Sequence, residues 1–465
     1  MSSDHSKKPS MGSLKTRPLE RNIALTKLGL GAGTKIVAHS IMNIFRGEVD
    51  RTEADRGFYR KQATILADEL GRLKGSVMKA GQMLSLFGQY FLPEEAVEVL
   101  ADLQDDTPPV DWRVVGPALE KSIGRKRLAE LEVDPVPIAA ASLGQAHYAV
   151  RKTDGQPLVV KIQYPGVSDS IDSDISTLSR LLAMTRLVPK ELNLAPSFAE
   201  VRDMLRREVD YVAEARYTED FRQRLAHDPR FVVPQVLPEY SSDRVLTMTY
   251  EAGVAVRDLA VQGLSQTRRN RLGAAFFELF ATEFFDWGLL QTDPNFGNYR
   301  FRIGSRAGTD RIVLLDFGAM RHFERSFIRS YSQIVSGAVH RDHAEVLRGA
   351  VDIGLMQPQF PAPVLAAFAQ MCELIVEPFA KADDPRVPAE LHTRRGEYRW
   401  GASQLPMRVA NVAARNALST YFRVPPPEIV FLHRRLAGVF IMLATLDVEL
   451  NARPALLAAL GLPPE

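Results

Sequence analysis

Apolar positions recur at helical spacing from Thr52 to Phe87, where Leu66, Leu70, Leu73, Val77, Leu84 and Phe87 fall three, four or seven residues apart. That period predicts a long amphipathic helix. A turn at Pro93 and a short helix follow, and in the linker DDTPPVD Asp111 is placed to cap a helix starting at Trp112. From Leu131 to Lys161 the pattern changes to β-branched runs separated by turns, which predicts strands. Ser168 to Leu187 and Pro196 to Leu225 return to helical patterning, and Phe231 to Val236 and Val245 to Tyr250 read as two further strands. Tyr299 to Ile303 and Arg311 to Leu315 form a hairpin about the turn Gly304 to Thr309, and everything after Asp316 reads as helix broken at PQFPAP and VPPPE. Near the start, residues 1–20 are poor in apolar residues and read as a disordered tail. Asn22 to Phe45, within an apolar amphipathic helix over 21–50, is glycine-rich at Gly29, Gly31 and Gly33; contact with a membrane surface or partner helix and packing on the protein's own surface both fit it. No internal repeat is present.

The hairpin carries chemistry at both ends. QTDPNFGN places Asn298 five residues after Asp293, the offset of the loop in which an acid meets the attacking group and an Asn holds a divalent cation. Asp316-Phe317-Gly318 then supplies a second carboxylate at the far end of the hairpin, so three oxygen donors can converge from two adjacent loops. Upstream, Ala139-Ala140-Ala141-Ser142-Leu143-Gly144 stands where a G-x-G-x-x-G phosphate turn belongs, with Ala139 and Ala141 replacing two glycines. Alanine restricts positive φ and holds the backbone further from an anion, so a nucleotide here meets a stiffer loop.

In LVVKI a single cation, Lys161, lies within an apolar strand and needs a partner or water. Glu208, Asp210 and Glu214 in REVDYVAEA are the candidate carboxylates, read as one acidic helix two helices downstream. Lys79 and Gln82 of the KAGQ string share a face of the long N-terminal helix beside Gly75 and Gly81, which permit close approach of another backbone. Strands with a few helices followed by a helical remainder, carrying these motifs, predict a two-lobed α+β fold of protein-kinase type. Its parts are a helical extension over 51–130, an N-lobe over 131–252 and a C-lobe over 253–465.

Composition narrows the partners. Lys+Arg 58 against Asp+Glu 56, with no basic stripe interleaved with aromatics, gives no support to a nucleic-acid partner. The single cysteine, Cys372, excludes an intrachain disulfide framework and reads as a core residue. No run approaches the ~20 apolar residues of a spanning helix: Leu272 to Leu290 is interrupted by Glu278, Glu283 and Asp286, and Leu436 to Leu446 is short. The N-terminus lacks the apolar core of a secretory signal. The expected location is cytoplasmic, with peripheral attachment to the inner membrane left open.

KAGQ, AAAS, VVK, EVD, DPNFGN and DFG occur in an order that resembles the UbiB-type atypical kinase-like proteins, also called the ADCK family, from about Ala54 to the C-terminus. QTDPN, DFGAMRHFERSF and VPPPEIVFLHRRLAG look most like the mitochondrial coenzyme Q assembly branch. The resemblance implies ATP and Mg²⁺ as cofactors. Lys161 would contact the α and β phosphates and pair with Glu214, Asn298 and Asp316 would hold the metal, and Asp293 would take the catalytic aspartate position. Ala139 to Ser142 and Gly144 would border the nucleotide. Lys79 and Gln82 would enter the active site from a lid that meets Glu208 and Asp210 and obstructs a protein substrate. Gln291 replaces the His of ordinary kinases, at a position that orients the loop. The function implied is a Mg²⁺-dependent ATPase or phosphotransferase supporting ubiquinone biosynthesis, alongside quinone-biosynthesis proteins and with quinone-precursor phenols or anionic lipid as candidate partners. Two alternatives remain: a small-molecule kinase acting on another metabolite, and a nucleotide-gated lipid-binding module without essential catalysis.

Overall fold

The computed structural model describes residues 64, 79–81, 83, 109–185, 195–417 and 425–463. They fall into two compact units. The first takes the described residues up to Arg216 together with Gln235–Tyr250; the second takes Tyr217–Pro234 and everything from Glu251 onward. The expected tail over 1–20, the helix over 21–50 and Gln82 lie outside the described residues, while Thr64, Lys79 to Gly81 and Met83 are helical.

In the first unit, α1 (Trp112–Ile123) starts at Asp111, whose side chain accepts from Arg113 N as an N-cap. After α2 (Arg125–Ala129), strands β1 (Leu131–Ala140), β2 (Gly144–Arg151) and β3 (Pro157–Gln163) run antiparallel. Helices α3 (Val167–Thr185), α4 (Ala195–Glu208) and α5 (Tyr211–Arg224) follow, and α5 crosses from one unit into the other at Arg216. The two-residue β4 (Phe231–Val232) belongs to the second unit, whereas β5 (Val245–Thr249) completes the first unit's sheet in the order β1-β2-β3-β5. Alternation along β3 buries Leu158, Val160 and Ile162 on one face. Val159 lies on the other face against Tyr211, Leu246 and Met248, and the same period puts Lys161 beside it.

In the second unit, α6 (Leu259–Gln262) and α7 (Gln266–Ala281) lead through a π turn (Thr282–Trp287) into β6 (Leu289–Gln291). Gly288, in the left-handed region at φ 63, ends the π turn. The hairpin of β7 (Tyr299–Arg302) and β8 (Arg311–Leu314) pairs Tyr299 with Leu314, and β9 (Met320–His322) returns antiparallel to β6. A helical body follows: α8 (Arg325–His340), α9 (His343–Asp352), α10 (Ala362–Ile375), then β10 (Tyr398–Arg399), α11 (Trp400–Ser403), α12 (Leu405–Ala417), α13 (Pro427–Thr445), β11 (Glu449–Leu450) and α14 (Arg453–Ala459). Its core is aromatic and aliphatic, centred on Phe276, Phe277, Phe284, Trp400 and Leu443, and it contains Cys372, whose thiol burial pushes up to about 12. Among the described residues no helix is long and apolar enough to cross a membrane.

Four expectations are corrected. Ala139 and Ala140 are not part of a loop: they are paired in β1 with Ala146 and Gln145, and only Ala141 to Gly144 form the turn, closed by Ala141 N donating to Gly144 O at 2.9 Å. REVDYVAEA is not one helix, because the chain breaks at Val209 and Asp210, where Asp210 Oδ1 accepts from Ala213 N at 2.9 Å and starts α5. The strand expected over Phe231 to Val236 is cut to Phe231–Val232, which lies parallel to β8 with Phe231 opposite Ile312, while Val236 makes an isolated antiparallel bridge to Met248 of β5. The chain after Asp316 includes β9, β10 and β11, short strands whose two or three residues give no readable alternation.

Gly144 shows why a small residue closes the alanine turn. A Cβ there would stand 2.6 Å from Ile162 O and 3.0 Å from the Tyr211 hydroxyl, so the β2 backbone can lie against β3 only without a side chain. Gly144→Ala is expected to cost about 1–3 kcal/mol, read as a lowered thermal midpoint. An unchanged midpoint would show that β3 and Tyr211 yield freely.

Candidate active site

Lys161 Nζ donates to Glu214 Oε1 at 2.5 Å, with Lys161 at 20% and Glu214 at 2% exposure, and the ammonium also lies 5.6 Å from the centre of the Tyr211 ring. The break at Asp210 makes this possible. It sets Glu214 in the first turn of α5, over the face of β3 that carries Lys161, so Glu214 is a buried partner and not part of a solvated acidic surface. Asp210 caps the helix. Glu208, at the end of α4, takes Lys79 instead, with Lys79 Nζ to Glu208 Oε1 at 2.9 Å and both side chains partly exposed.

The alanine turn lies at the end of the same sheet next to Lys161, since Gly144 is paired with Gln163 and Ala146 with Lys161. Ala139 and Ala141 are exposed and Ser142 is fully buried, its Oγ without a hydrogen-bond partner among the described residues. A buried hydroxyl without a partner costs on the order of 1–3 kcal/mol, so an added acceptor at this turn would offset that cost.

In the second unit the QTDPNFGN loop is held at nearly every residue. Gln291 N donates to Glu283 Oε2 at 3.2 Å, and Thr292 N and Oγ1 donate to Ala319 O at 3.0 and 2.8 Å, joining the loop to the segment just after Gly318. Asp293 Oδ1 accepts from Arg434 Nη2 at 2.9 Å, and its Oδ2 accepts from Asn298 Nδ2 at 3.0 Å. Pro294 lies on α13 at Gly438, where a Cβ would come within 2.2 Å of Pro294 Cβ. Asn295 Oδ1 accepts from Gly297 N at 2.8 Å, starting the short 3₁₀ turn Phe296–Asn298. Leu315 N donates to Asn298 O at 2.9 Å, so Asn298 and Asp316 stand at the same end of the hairpin, one position out of register. Asp316 Oδ1 accepts from Gly318 N at 2.9 Å, and buried Phe317 packs on Phe221 with ring centres 4.8 Å apart.

Two features fit a divalent cation at this end. The Asn298 amide gives its nitrogen to Asp293, which turns its oxygen the other way, toward the role of ligand. Among the described residues no group of three or more His, Cys, Asp or Glu is arranged to hold a metal by itself. An Asn oxygen plus one carboxylate matches the sparse protein donor set of a Mg²⁺ that shares its shell with phosphates and water.

Arg434, Arg435 and Glu283 were not singled out from the sequence. Arg434 is 141 residues from Asp293. The available signal was the dipeptide Arg434-Arg435 inside the apolar string VFLHRRLAGVF, since cations on a buried helix demand partners. Glu283 was visible only as a charge interrupting an apolar run. Burial pushes its carboxyl up to about 7, against the opposing pull of Arg435 and the Gln291 N–H.

Residues 102–350 match the ABC1 atypical kinase-like domain. The chain belongs to that family. It is 32% identical to the atypical kinase COQ8, mitochondrial, of Schizosaccharomyces pombe over 84% of this chain and 62% of that protein. It is 30% identical to the Saccharomyces cerevisiae protein of the same name over 94% of this chain and 84% of that one, and 32% identical to the Rattus norvegicus atypical kinase COQ8B, mitochondrial, over 92% and 76%. The motif-based resemblance to the mitochondrial branch is thereby borne out, as is the kinase-like α+β fold. A solved structure described as the complex of Rv3197 and erythromycin from Mycobacterium tuberculosis shares the fold at TM-score 0.56 and 23% identity, covering 87% of this chain and 97% of that one.

The Lys161–Glu214 pair of the first unit gives a direct test. Removing one member of such a pair costs about 3 kcal/mol or more because the other charge loses its counterion. Lys161→Met should lower the urea midpoint accordingly, and Lys161→Met with Glu214→Gln should recover most of the loss. Equal losses in both variants would contradict the pairing.

Proposed function

We propose that this ABC1-family protein is a Mg²⁺-dependent ATPase or phosphotransferase that supports ubiquinone biosynthesis. The observation that carries the reading is Asp293, gripped by Arg434 and Asn298 at the end of the hairpin where Asp316 also stands. A carboxylate offers about four lone-pair sites, and these two hydrogen bonds use two of them. Asp293 therefore keeps acceptor capacity for the proton of an attacking hydroxyl or water while its orientation is fixed. Asn298 and Asp316 would hold Mg²⁺, which when bound offsets the charge of the phosphates. Lys161, kept in place by Glu214, would contact the α and β phosphates, and the turn Ala141 to Gly144 would border them, with the Ser142 hydroxyl as a donor. Ala139 and Ala140, as strand residues, would stiffen that turn.

The names of the relatives, atypical kinase and mitochondrial, support the kinase-like part of this reading and an association with a membrane-bounded compartment. The Lys79–Glu208 ion pair supports the lid, because it ties the KAGQ helix to the end of α4. A lid so fastened favours water or a small hydroxyl compound over a protein as phosphate acceptor. Incubating the purified protein with MgATP, with and without phenolic quinone precursors and anionic vesicles, and identifying the products distinguishes these acceptors.

The metal assignment has its own test. Asp316→Asn exchanges a charged ligand for a neutral amide and should abolish the Mg²⁺-dependent part of the ATP-induced thermal shift, a loss of at least tenfold in apparent affinity. A full shift in the variant would remove Asp316 from the metal site.

A further inference from the structure

A buried charge network joins the two ends of the QTDPNFGN loop. At the entry, Gln291 N donates to Glu283 Oε2. At the exit, Arg435 Nη1 donates to the Tyr299 hydroxyl, which in turn reaches Gln291 Oε1 at 3.4 Å. Arg435 Nη2 lies 3.9 Å from Glu283 Oε1, and its guanidinium sits over the rings of Phe276 and Tyr299 at 5.1 and 5.5 Å. Glu283, Gln291, Tyr299 and Arg435 are all at most 4% exposed.

We propose that Glu283 and Arg435 are positioning residues for the phosphate-transfer loop, fixing its two ends so that Asp293 and Asn298 stand at their working separation. This rests on the function proposed above for Asp293 and Asn298.

Stability alone is a poor reason for such a pair. Replacing a buried ion pair by apolar side chains of similar volume is often neutral or stabilising, because desolvation offsets the attraction. At 3.9 Å Arg435 Nη2 is not hydrogen-bonded to Glu283, and Arg435 Nε and Gln291 Nε2 also have no hydrogen-bond partners among the described residues, a further cost that an apolar core would avoid. What the pair supplies is reach. Glu283 arrives from the π turn and Arg435 from α13, two elements that themselves lie in the core, and each takes hold of a residue flanking the loop. The wide π turn is consistent with this, since such turns occur where a helix must re-aim a side chain. The neighbouring Arg434 binds Asp293 from the same helix, so α13 grips both the acid and the strand that follows the loop.

The decisive variant is Glu283→Met with Arg435→Met, which removes both charges at similar volume. We expect its thermal midpoint to stay within a few degrees of the wild type, or to rise. Amide exchange at residues 292–298 should quicken by about tenfold, and kcat for ATP should fall by at least about tenfold with KM within about twofold. Arg435→Lys, which restores a cation, should recover part of kcat. A folded double variant with unchanged loop exchange and unchanged kcat overturns the proposal. If the double variant does not fold, Tyr299→Phe, which deletes only the hydroxyl, decides by the same two measurements: faster exchange with lower kcat supports it, and neither overturns it. If the wild type turns over no ATP, the functional reading fails by itself and loop exchange alone decides the positioning role.

Discussion

The structure turns on the grip that α13 holds on one loop. Placing Asp293, Asn298 and Asp316 at one end of a four-residue-stranded hairpin concentrates negative charge and lone pairs in a small volume, and short strands have little cooperative strength with which to resist repulsion. Arg434 offsets that charge and fixes the direction of Asp293. Gly438, one helical turn further on, lets Pro294 lie against the helix backbone. Because α13 is itself packed in the core through Ile429, Leu432, Val439 and Leu443, the loop takes its rigidity from the body of the unit.

The first unit solves a similar problem differently. A single cation on a strand is set by the period of two on the face covered by α5, and a helix break at Asp210 delivers Glu214 to it. Each break in regular structure near a functional residue has a stated cause: the Asp210 cap, the π turn that holds Glu283, and the close approach that demands Gly144. Local irregularity of this kind is expected where side chains must be aimed at one point.

Much of this was legible in the sequence because it is encoded locally. The Asp293-to-Asn298 offset, the hairpin and its turn, the Asp111 cap and the alternation around Lys161 all act over a few residues. What was not legible is carried by distance in sequence or by small geometry. Arg434 and Arg435 meet their partners across 141 and 136 residues, which no spacing rule can reach. The break in REVDYVAEA was hidden because Asp210 reads equally well as a surface acid and as a cap. Assigning Ala139 and Ala140 to a loop followed from small side chains being compatible with turn and edge strand alike. The strand at Phe231 ends after two residues because the chain leaves β8 there and reaches β5 only through a single bridge at Val236, a change of partner that the apolar pattern does not show.

Single-turnover release of phosphate from bound MgATP tests the central claim, that Asp293 held by Arg434 and Asn298 serves the transfer step, most directly. Asp293→Asn keeps the shape of the side chain and one acceptor oxygen for Arg434, while its NH2 can no longer accept from Asn298 Nδ2, so at saturating MgATP the rate should fall by on the order of a hundredfold or more. Release at the wild-type rate from the variant, with nucleotide bound, would contradict the account.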